Sequence, residues 1–255
     1  MKSPFQVLLN VFPRPFLIKA SLLLRPMLVL AYRGKAYKDP IDGKTFSKFL
    51  PYGYENQRSN VLSPSTLSLE RHRLLWLYLQ QTDFFTRPQK VLHFAPEQAF
   101  YKRFKNLKNL EYTTTDLNSP IADVKADICD LPFDTDSFDT IICNHVLEHI
   151  KDDAKAMKEL YRVLKPKGMA ILQIPQDINR ATTFEDDSVV DPKERAKIFG
   201  QYDHLRIYGL DFFDKLKSIG FEVKAVDLTA DMEDSEIEYY RLQKGEIIPV
   251  CFKPA

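Results

Sequence analysis

Cysteine is scarce in this 255-residue sequence, which contains only Cys129, Cys143 and Cys251. Their number is odd, they are scattered, and mostly apolar residues surround them. A disulfide framework needs paired cysteines, so the pattern excludes a small disulfide-stabilised secreted domain. The three thiols are predicted to be reduced core residues of a cytoplasmic protein, and the 44% hydrophobic content indicates a globular one.

The N-terminal segment 1–38 lacks acidic side chains, although it carries seven Lys or Arg among many apolar residues. Prolines and basic residues interrupt the apolar run, which is therefore too broken for a membrane span of about 20 residues or for a secretory signal. Two interpretations remain open. One is a pair of short helices packed on the main domain. The other is a peripheral surface that contacts a partner protein or the anionic headgroups of the inner membrane.

The rest of the chain, 39–255, carries 29 basic and 35 acidic side chains and shows no basic stripe interleaved with aromatic residues. Nucleic-acid binding depends on clustered positive charge near the phosphates. No nucleic-acid partner is therefore expected. Internal repeats and low-complexity segments are also lacking.

Helix-like and strand-like segments alternate from residue 69 onward. The helical patterns cover 69–81, 98–107, 152–165 and 210–220, with Ser68 predicted to cap the first and Gly220 to end the last. The strand-like runs cover 89–95, 111–117, 123–128, 138–146, 168–175, 221–228 and 246–252.

This alternation predicts an α/β fold with a mainly parallel sheet and helices on both faces. The last two strands have no clear helix between them, which suggests a final antiparallel pair. The polar, acidic residues 176–207 interrupt the rhythm and are predicted to form an insertion beside the mouth of the sheet.

Polar residues follow several of the predicted strands. The first strand leads into HFAPEQ, and the second ends near Asp116. Ligands of open α/β sheets bind at the carboxyl ends of the strands. An acidic residue roughly 20 residues beyond the first strand, as Asp116 is, can accept hydrogen bonds from the ribose hydroxyls of a nucleoside cofactor.

The block from Asp127 to Pro175 contains LPF, SFD, LEH and RVLKP in order. This block resembles the class I S-adenosylmethionine-dependent methyltransferases, in particular their type 11 branch. The resemblance covers residues 89–175 and weakly extends to 228. It implies a Rossmann-like methyltransferase sheet that is mostly parallel with a C-terminal antiparallel strand, and it implies S-adenosylmethionine as the cofactor.

The same resemblance implies which residues contact the cofactor. Asp116 is expected to bind the ribose hydroxyls, Asp127 the adenine amino group, the Ile128 backbone N–H the ring, and Asn144 to line the methyl-transfer end. The full set of implied cofactor contacts is His93, Phe94, Ala95, Glu97, Asp116, Leu117, Asp127, Ile128 and Asn144.

The first loop departs from the family pattern D-x-G-x-G-x-G. His93, Ala95, Glu97 and Ala99 stand at those places. Glycine adopts positive φ and allows close approach of the backbone, whereas alanine is more restricted. Glu97 is interpreted as the acidic group that faces the amino end of the cofactor. The alternative is a closed loop that binds no cofactor, in a non-catalytic binding or scaffold protein.

Residues 39–53 and 63–73 resemble a bacterial subgroup that carries CPVCG, FLPYG and CPxC-SLERHR before the methyltransferase domain. Asp39, Asp42, Ser63 and Thr66 stand at the four cysteine positions. Structural zinc prefers thiolate or imidazole ligands, so no metal is predicted.

The predicted organisation has three parts. They are a basic leader (1–38), a degenerate zinc-ribbon-like module held by aromatic packing (39–67), and a methyltransferase domain (68–255). Asp203 and His204 are predicted as the catalytic base pair, with Arg206 or Tyr208 holding the acceptor, while His149 is predicted to orient a loop. The acceptor is expected to be a small molecule, a saccharide or a lipid-linked intermediate. No sequence feature indicates an oligomeric state.

Overall fold

The computed structural model describes residues 25–53 and 57–255. Most of the predicted leader, residues 1–24, lies outside these described residues. The described chain divides into two compact units. The first unit combines the residues up to Thr82 with Leu228–Glu246, and the second combines Asp83–Asp227 with Ile247–Ala255.

The described part of the first unit contains two small antiparallel hairpins and the helices α1 and α6, whose bounds are given below. The predicted domain boundaries at 38 and 67 lie inside this unit and remain predictions. Residues 25–31 are also helical. The strands pair as β1 with β2 and β3 with β4. The elements are β1 (Arg33–Lys38), β2 (Thr45–Phe46), β3 (Leu50–Tyr52), β4 (Arg58–Leu62), α1 (Glu70–Gln80) and α6 (Asp234–Tyr240).

Aromatic packing fills the core of the first unit, as predicted for part of the 39–67 segment. The rings of Phe46 and Phe49 are buried and meet edge to face with their centroids 5.8 Å apart. Tyr37 packs on the other side of Phe49 at 6.0 Å. Tyr52, another aromatic residue of this segment, remains 41% exposed.

The start of α1 differs from the prediction that Ser68 caps it. Leu69 is the N-cap residue, and its backbone N–H donates to Nδ1 of His72 at 3.0 Å. The Ser68 hydroxyl instead donates to Asp39 Oδ2 at 3.2 Å. The hydroxyl is thus used by a buried carboxylate rather than by the helix terminus.

The second unit contains a seven-stranded sheet in the order β12-β13-β9-β8-β5-β6-β7. Neighbouring strands from β9 to β7 are parallel, whereas β13 is antiparallel to both β9 and β12. The predicted Rossmann-like methyltransferase sheet with its C-terminal antiparallel strand is confirmed. The strands are β5 (Gln89–Phe94), β6 (Leu110–Asp116), β7 (Val124–Lys125), β8 (Phe138–Cys143), β9 (Leu164–Ile171), β12 (Glu222–Asp227) and β13 (Ile247–Phe252).

The helices of the second unit bury apolar faces around this sheet. They are α2 (Tyr101–Lys105), α3 (Asp153–Val163), α4 (Pro192–Phe199) and α5 (Phe212–Ile219). In α3, Met157 and Leu160 are fully buried in the main core. Asp152 caps α3 by accepting the N–H of Lys155, and Gly220 ends α5 in a left-handed conformation, as predicted.

Two predicted strands have other bounds in the structure, and one helix was not predicted. The third strand shrinks to two residues, and β9 begins at Leu164 rather than at Gly168. Helix α6 also lies between the last two strands, where none was expected. Its sequence DSEIEYY has a single buried residue, Ile237, so it carries almost no apolar periodicity.

Two further short strands lie within residues 176–207, the predicted insertion. Strand β10 (Phe184–Glu185) pairs antiparallel with β11 (Arg206–Ile207), and α4 lies between them in the chain. None of the helices in the described part of the chain is long and apolar enough to cross a membrane.

Candidate active site

Three parallel neighbours, β5, β6 and β8, bring most of the predicted cofactor residues to one edge of the sheet. His93 and Phe94 end β5, Asp116 ends β6, and Asn144 follows the last residue of β8. Because these strands are parallel and adjacent, their carboxyl ends form a common edge. The structure therefore places together the residues that the sequence assigns to one site.

The backbone is strained at two positions of this edge. Ala95 adopts a φ of 45° directly after β5, and His145 adopts 52° shortly after β8. Residues other than glycine occupy the left-handed region infrequently and tend to be found in turns and at functional sites. Ala95 thus adopts the kind of conformation for which glycine is favoured.

Glu97 lies at the centre of a hydrogen-bond network. Its Oε2 is 2.5 Å from Nε2 of His93, and its Oε1 accepts from the Asn144 side-chain amide at 3.1 Å. Nδ1 of His93 is 2.7 Å from the hydroxyl of Tyr112. Burial raises the pKa of Tyr112, so its hydroxyl keeps its proton and can donate to Nδ1. Nε2 of a neutral His93 then carries the hydrogen that binds Glu97.

Buried side-chain oxygens remain without hydrogen-bond partners near these strand ends. Among the described residues, Asn144 Oδ1, Thr115 Oγ1 and Gln173 Oε1 have none. Buried polar atoms are normally satisfied, so each such atom calls for a partner such as a bound ligand or water. Thr115 and Asn144 adjoin the ends of β6 and β8, and the site therefore fits a polar cofactor that supplies hydrogen-bond donors.

Asp116 and Leu117 provide a charged and an apolar surface after β6. Oδ1 of Asp116 accepts the backbone N–H groups of Asn118 at 2.7 Å and Ser119 at 2.6 Å. Leu117 is 62% exposed. The turn fixes the orientation of the carboxylate, and the exposed leucine adds an apolar contact surface beside it.

The predicted adenine-binding pair follows β7. Asp127 is exposed, and its Oδ1 accepts the Cys129 backbone N–H at 2.8 Å. Ile128 is buried and belongs to the main hydrophobic core. The side chain of Ile128 is thus a packing element, which leaves its backbone as the part available to a ligand.

The structure does not place Asp203 and His204 as a hydrogen-bonded pair. His204 is buried, with Nδ1 3.0 Å from the carbonyl oxygen of Phe199, while Oδ1 of Asp203 accepts from Gln201 at 2.8 Å. Burial lowers the pKa of His204 and favours the neutral imidazole. Adjacency in sequence pointed to a dyad, but the backbone directs the two side chains to different partners.

Arg206 and Tyr208 were predicted to hold an acceptor, but both side chains are buried and hydrogen-bonded to other parts of the protein. Tyr208 is fully buried and donates its hydroxyl to Asp153 Oδ2 at 2.9 Å. Arg206 pairs with Glu185 at 2.7 Å and donates to three backbone carbonyls. Those carbonyls belong to Leu147, Ile150 and Lys151. Both side chains anchor the loop rather than face an acceptor.

A cluster that the sequence did not reveal lies beside this anchored loop. One ligand-type atom each from Glu148, His149 and His204 lie within 4.8 Å of one another. Glu148 and His149 belong to a short 3-10 turn, Leu147–His149, after β8. The prediction that His149 orients a loop is consistent with its Nδ1 contact to the Asp203 carbonyl at 3.2 Å.

In the first unit, three of the four positions compared with zinc ligands form a hydrogen-bonded cluster. Asp39 is fully buried, and its Oδ2 accepts from the Thr66 hydroxyl at 2.5 Å. Ser63 Oγ accepts the backbone N–H of Thr66 at 3.4 Å. Asp42 instead accepts the N–H of Lys44 at 3.1 Å. The zinc-ribbon origin of this module remains a prediction.

Arg73 completes this buried cluster. Its guanidinium is fully buried over the face of Phe49, 4.8 Å from the ring centroid. Burial lowers the pKa of Arg73 to about 10, although Asp39 opposes the shift. The guanidinium donates to the backbone carbonyls of Val61, Ser68, Tyr240 and Arg241.

Comparison with protein families shows that residues 86–172 match a family described as "Methyltransferase domain". The matched segment runs from just before β5 to the end of β9 and contains most of the predicted cofactor contacts. The match confirms the predicted class of this segment, a methyltransferase domain. It covers about a third of the chain.

Curated relatives resemble this chain over short segments. A chloroplastic 2-phytyl-1,4-beta-naphthoquinone methyltransferase of Arabidopsis thaliana is 38% identical over 69 residues, which are 27% of this chain and 26% of that protein. A demethylmenaquinone methyltransferase of Staphylococcus carnosus is 40% identical over 70 residues, 28% of this chain and 24% of that protein. This chain thus spans about a quarter of the length of these relatives.

Among solved structures, the [4+2]-cyclase SpnF superposes with a TM-score of 0.51 at 15% sequence identity. The superposition covers 92% of this chain and 96% of that protein. The likeness supports the fold alone, because one fold can host different chemistries.

Proposed function

We propose that this chain is an S-adenosylmethionine-dependent methyltransferase that acts on a small-molecule acceptor. The observation that carries the proposal is the methyltransferase-domain match over residues 86–172. The strand ends within this segment carry the acidic and amide side chains, together with buried oxygens that have no hydrogen-bond partner among the described residues. The relatives support the same chemistry, since the curated ones named above are methyltransferases.

The residues of the chain bind and orient the cofactor in this proposal. Asp116 accepts from the ribose hydroxyls, and Leu117 and the Ile128 backbone contact the adenine, whose amino group donates to Asp127. The carboxylate of Glu97 would face the positively charged amino end. The Asn144 side chain, which donates to Glu97 and whose Oδ1 has no partner among the described residues, would line the methyl-transfer end. S-adenosylmethionine supplies an activated methyl group on its sulfonium, so alignment of the acceptor accounts for much of the rate.

The names of the relatives point to one acceptor class. By their names, one of the curated relatives above is a methyltransferase of a 2-phytyl-1,4-beta-naphthoquinone and the other of demethylmenaquinone. A quinone-type small molecule is therefore the first acceptor class to assay, before saccharide and lipid-linked acceptors. The matched segments cover about a quarter of each relative. The choice of acceptor class therefore rests on the names of the relatives alone.

Calorimetric titration with S-adenosylhomocysteine tests the cofactor site. We expect binding by the wild-type chain and at least a tenfold loss in Asp116→Ala and in Asp116→Asn. Asparagine keeps an oxygen for the turn at Asn118 and Ser119 but replaces the second acceptor oxygen by a donor. Asp134→Ala, an exposed carboxylate away from these strand ends, is the matched control and should bind normally.

The outcomes separate three explanations. Loss in Asp116→Ala alone would mean that the aspartate acts through its turn and not through the ribose. Binding of S-adenosylhomocysteine without methylation of any acceptor class would favour the alternative, a non-catalytic binding protein. No binding at high micromolar concentration would overturn the proposal.

The peripheral contact predicted for residues 1–38 stays a separate proposal. Flotation with anionic liposomes would compare the full chain with a variant that lacks these residues. Equal flotation of both proteins would contradict the membrane interpretation and leave a protein contact or helix packing.

A further inference from the structure

We propose that Glu148, His149 and His204 form a binding site for a divalent transition-metal ion such as Zn²⁺. Their ligand atoms lie within 4.8 Å of one another. Two of the residues come from the turn after β8, and the third comes from a loop much further along the chain. The proposal is independent of the methyltransferase activity and differs from the sequence-based prediction of no metal.

The carboxylate of Glu148 is the observation that points most strongly to a cation site. Its side chain is fully buried, and neither carboxylate oxygen accepts a hydrogen bond from any described residue. His145 lies beside it, with Nδ1 3.3 Å from Oε1. A buried carboxylate that accepts no hydrogen bond and has a single imidazole beside it is unfavourable, whereas direct coordination to a cation satisfies both oxygens.

Both histidines present the tautomer that a metal requires. Nδ1 of His204 is 3.0 Å from the Phe199 carbonyl, and Nδ1 of His149 is 3.2 Å from the Asp203 carbonyl. A carbonyl oxygen only accepts, so each Nδ1 must carry the hydrogen. Each Nε2 then retains its lone pair. Metal-ligating histidines nearly always donate the other ring N–H in this way.

Hydrogen bonds join the turn that carries Glu148 and His149 to the loop that carries His204. The backbone N–H of Leu205 donates to the Glu148 carbonyl at 2.9 Å. The Arg206 guanidinium holds the Leu147 and Lys151 carbonyls at 3.1 Å each. This framework fixes the separation between the turn and the loop without a metal, which preorganises the site.

The ligand set indicates the class of ion. Two imidazole nitrogens and one carboxylate suit Zn²⁺ or Fe²⁺ better than Mg²⁺ or Ca²⁺, which prefer oxygen ligands. Three protein ligands leave room for water or another small ligand, as in catalytic rather than closed structural zinc sites. Asp203 adds negative charge nearby, with Oδ1 3.6 Å from His149 Nδ1.

Titration with Co²⁺ tests the site directly, because its visible absorption reports a protein-bound ion. The full chain is first freed of metal with a chelator. We expect one Co²⁺ per chain, displacement by one equivalent of Zn²⁺, and a higher melting temperature with either ion. Mg²⁺ at the same concentration should not displace Co²⁺.

Glu148→Gln is the key variant because it keeps the shape of the side chain and removes the charge that coordinates the ion. We expect it to fold and to bind Co²⁺ more than about 100-fold more weakly, a larger loss than the 10- to 100-fold that an outer-shell partner contributes. His204→Ala should show the same loss. Cys129→Ser, which removes the partly exposed thiol, is the control and should bind normally.

Three results would overturn the proposal. The first is a wild-type chain that neither absorbs with one equivalent of Co²⁺ nor melts at a higher temperature. The second is unchanged Co²⁺ affinity in folded Glu148→Gln. The third is loss of binding in Cys129→Ser, which would place the ion at the thiol.

Discussion

Two buried polar clusters of this chain invite comparison. The Asp39 cluster (Asp39, Ser63, Thr66, Ser68 and Arg73) lies in the first unit, and the Glu148 cluster (Glu148, His149 and His204) lies in the second. In the former, the Asp39 carboxylate accepts a backbone N–H and two hydroxyls. In the latter, the Glu148 carboxylate accepts no hydrogen bond within the described chain.

The comparison shows that two properties indicate a metal site independently. One is the spacing of the residues in the sequence, and the other is whether the folded protein already satisfies the carboxylate with hydrogen bonds. The Asp39 cluster has the spacing of a zinc ribbon, but its carboxylate is already satisfied by hydroxyl and backbone donors. The Glu148 cluster has no recognised spacing, but its carboxylate accepts no hydrogen bond among the described residues, and a nitrogen of each of two imidazoles lies within 4.8 Å of it. Coordination chemistry therefore favours the second cluster.

The largest expected effect comes from the buried cation of the Asp39 cluster. Arg73→Ala should lower the free energy of unfolding by about 3–5 kcal/mol, because it leaves four backbone carbonyls without the charged donor that they share. Arg73→Lys should recover little of this, since an ammonium lacks the planar five-donor geometry. Urea denaturation measures both.

Arg58→Ala is the control for Arg73. The Arg58 side chain is 48% exposed and pairs with Glu70 at 2.6 Å. An exposed pair of this kind contributes up to about 1 kcal/mol. Equal losses of unfolding free energy in Arg58→Ala and Arg73→Ala would contradict the prediction that the hydrogen bonds of Arg73 stabilise the Asp39 cluster.

Asp39→Asn should separate the two clusters by metal content. We expect a loss of about 2 kcal/mol in unfolding free energy, because a charge-assisted acceptor becomes neutral and one oxygen becomes a donor. Metal bound per chain, measured by elemental analysis after Zn²⁺ loading, should stay the same. A fall in bound zinc would place the ion in the Asp39 cluster and reverse the comparison.

Glu246, a partly buried carboxylate of the first unit, should give stability a pH dependence. Burial raises its pKa from 4.5 to about 7, so the folded chain holds a proton that the unfolded chain releases. Its contribution to stability therefore falls as pH rises from about 4.5 to about 7.

Glu246→Gln removes this titration. The variant should match the wild type near pH 4 and exceed it by about 1–2 kcal/mol at pH 8, after allowance for partial exposure. Denaturation at several pH values measures the difference. A constant difference across this range would contradict the raised pKa of Glu246.

The smallest expected effect concerns the strained loop after β5. Ala95→Gly should raise stability by about 1 kcal/mol, because the left-handed conformation disfavours a Cβ. S-adenosylhomocysteine affinity should be retained. Ala122→Gly, at a residue outside the left-handed region, is the control and should lower stability slightly. Equal effects of both changes would show that Ala95 is not strained.

Much of the fold follows from local patterns. The runs QKVLHF and FDTIIC are continuous and apolar, as buried parallel strands are, and both form strands. The same reasoning missed α6, because its seven residues bury only Ile237. It also placed the start of β9 too late, since the polar KPKG stretch gave no strand signal.

The positions of the site residues that follow strands could be predicted from the sequence. The positions and partners of those in loops could not. Asp116 and Asn144 follow strands, so the topology places them at one edge. The partners of His204 depend on how residues 199–206 fold back, which no short-range pattern specifies. The unpartnered oxygens of Glu148 became visible only when every neighbouring donor was known.

The guanidinium of Arg73 has a consequence for the order of folding. Two of its acceptors, the carbonyls of Tyr240 and Arg241, lie 167 and 168 residues further along the chain. During synthesis the first unit begins early, but it is completed only after the entire intervening sheet up to β12 has been made. Contacts of such long sequence separation form slowly. The segment that carries Arg73 is thus made well before two of its acceptors, and until they are made its guanidinium must stay hydrated.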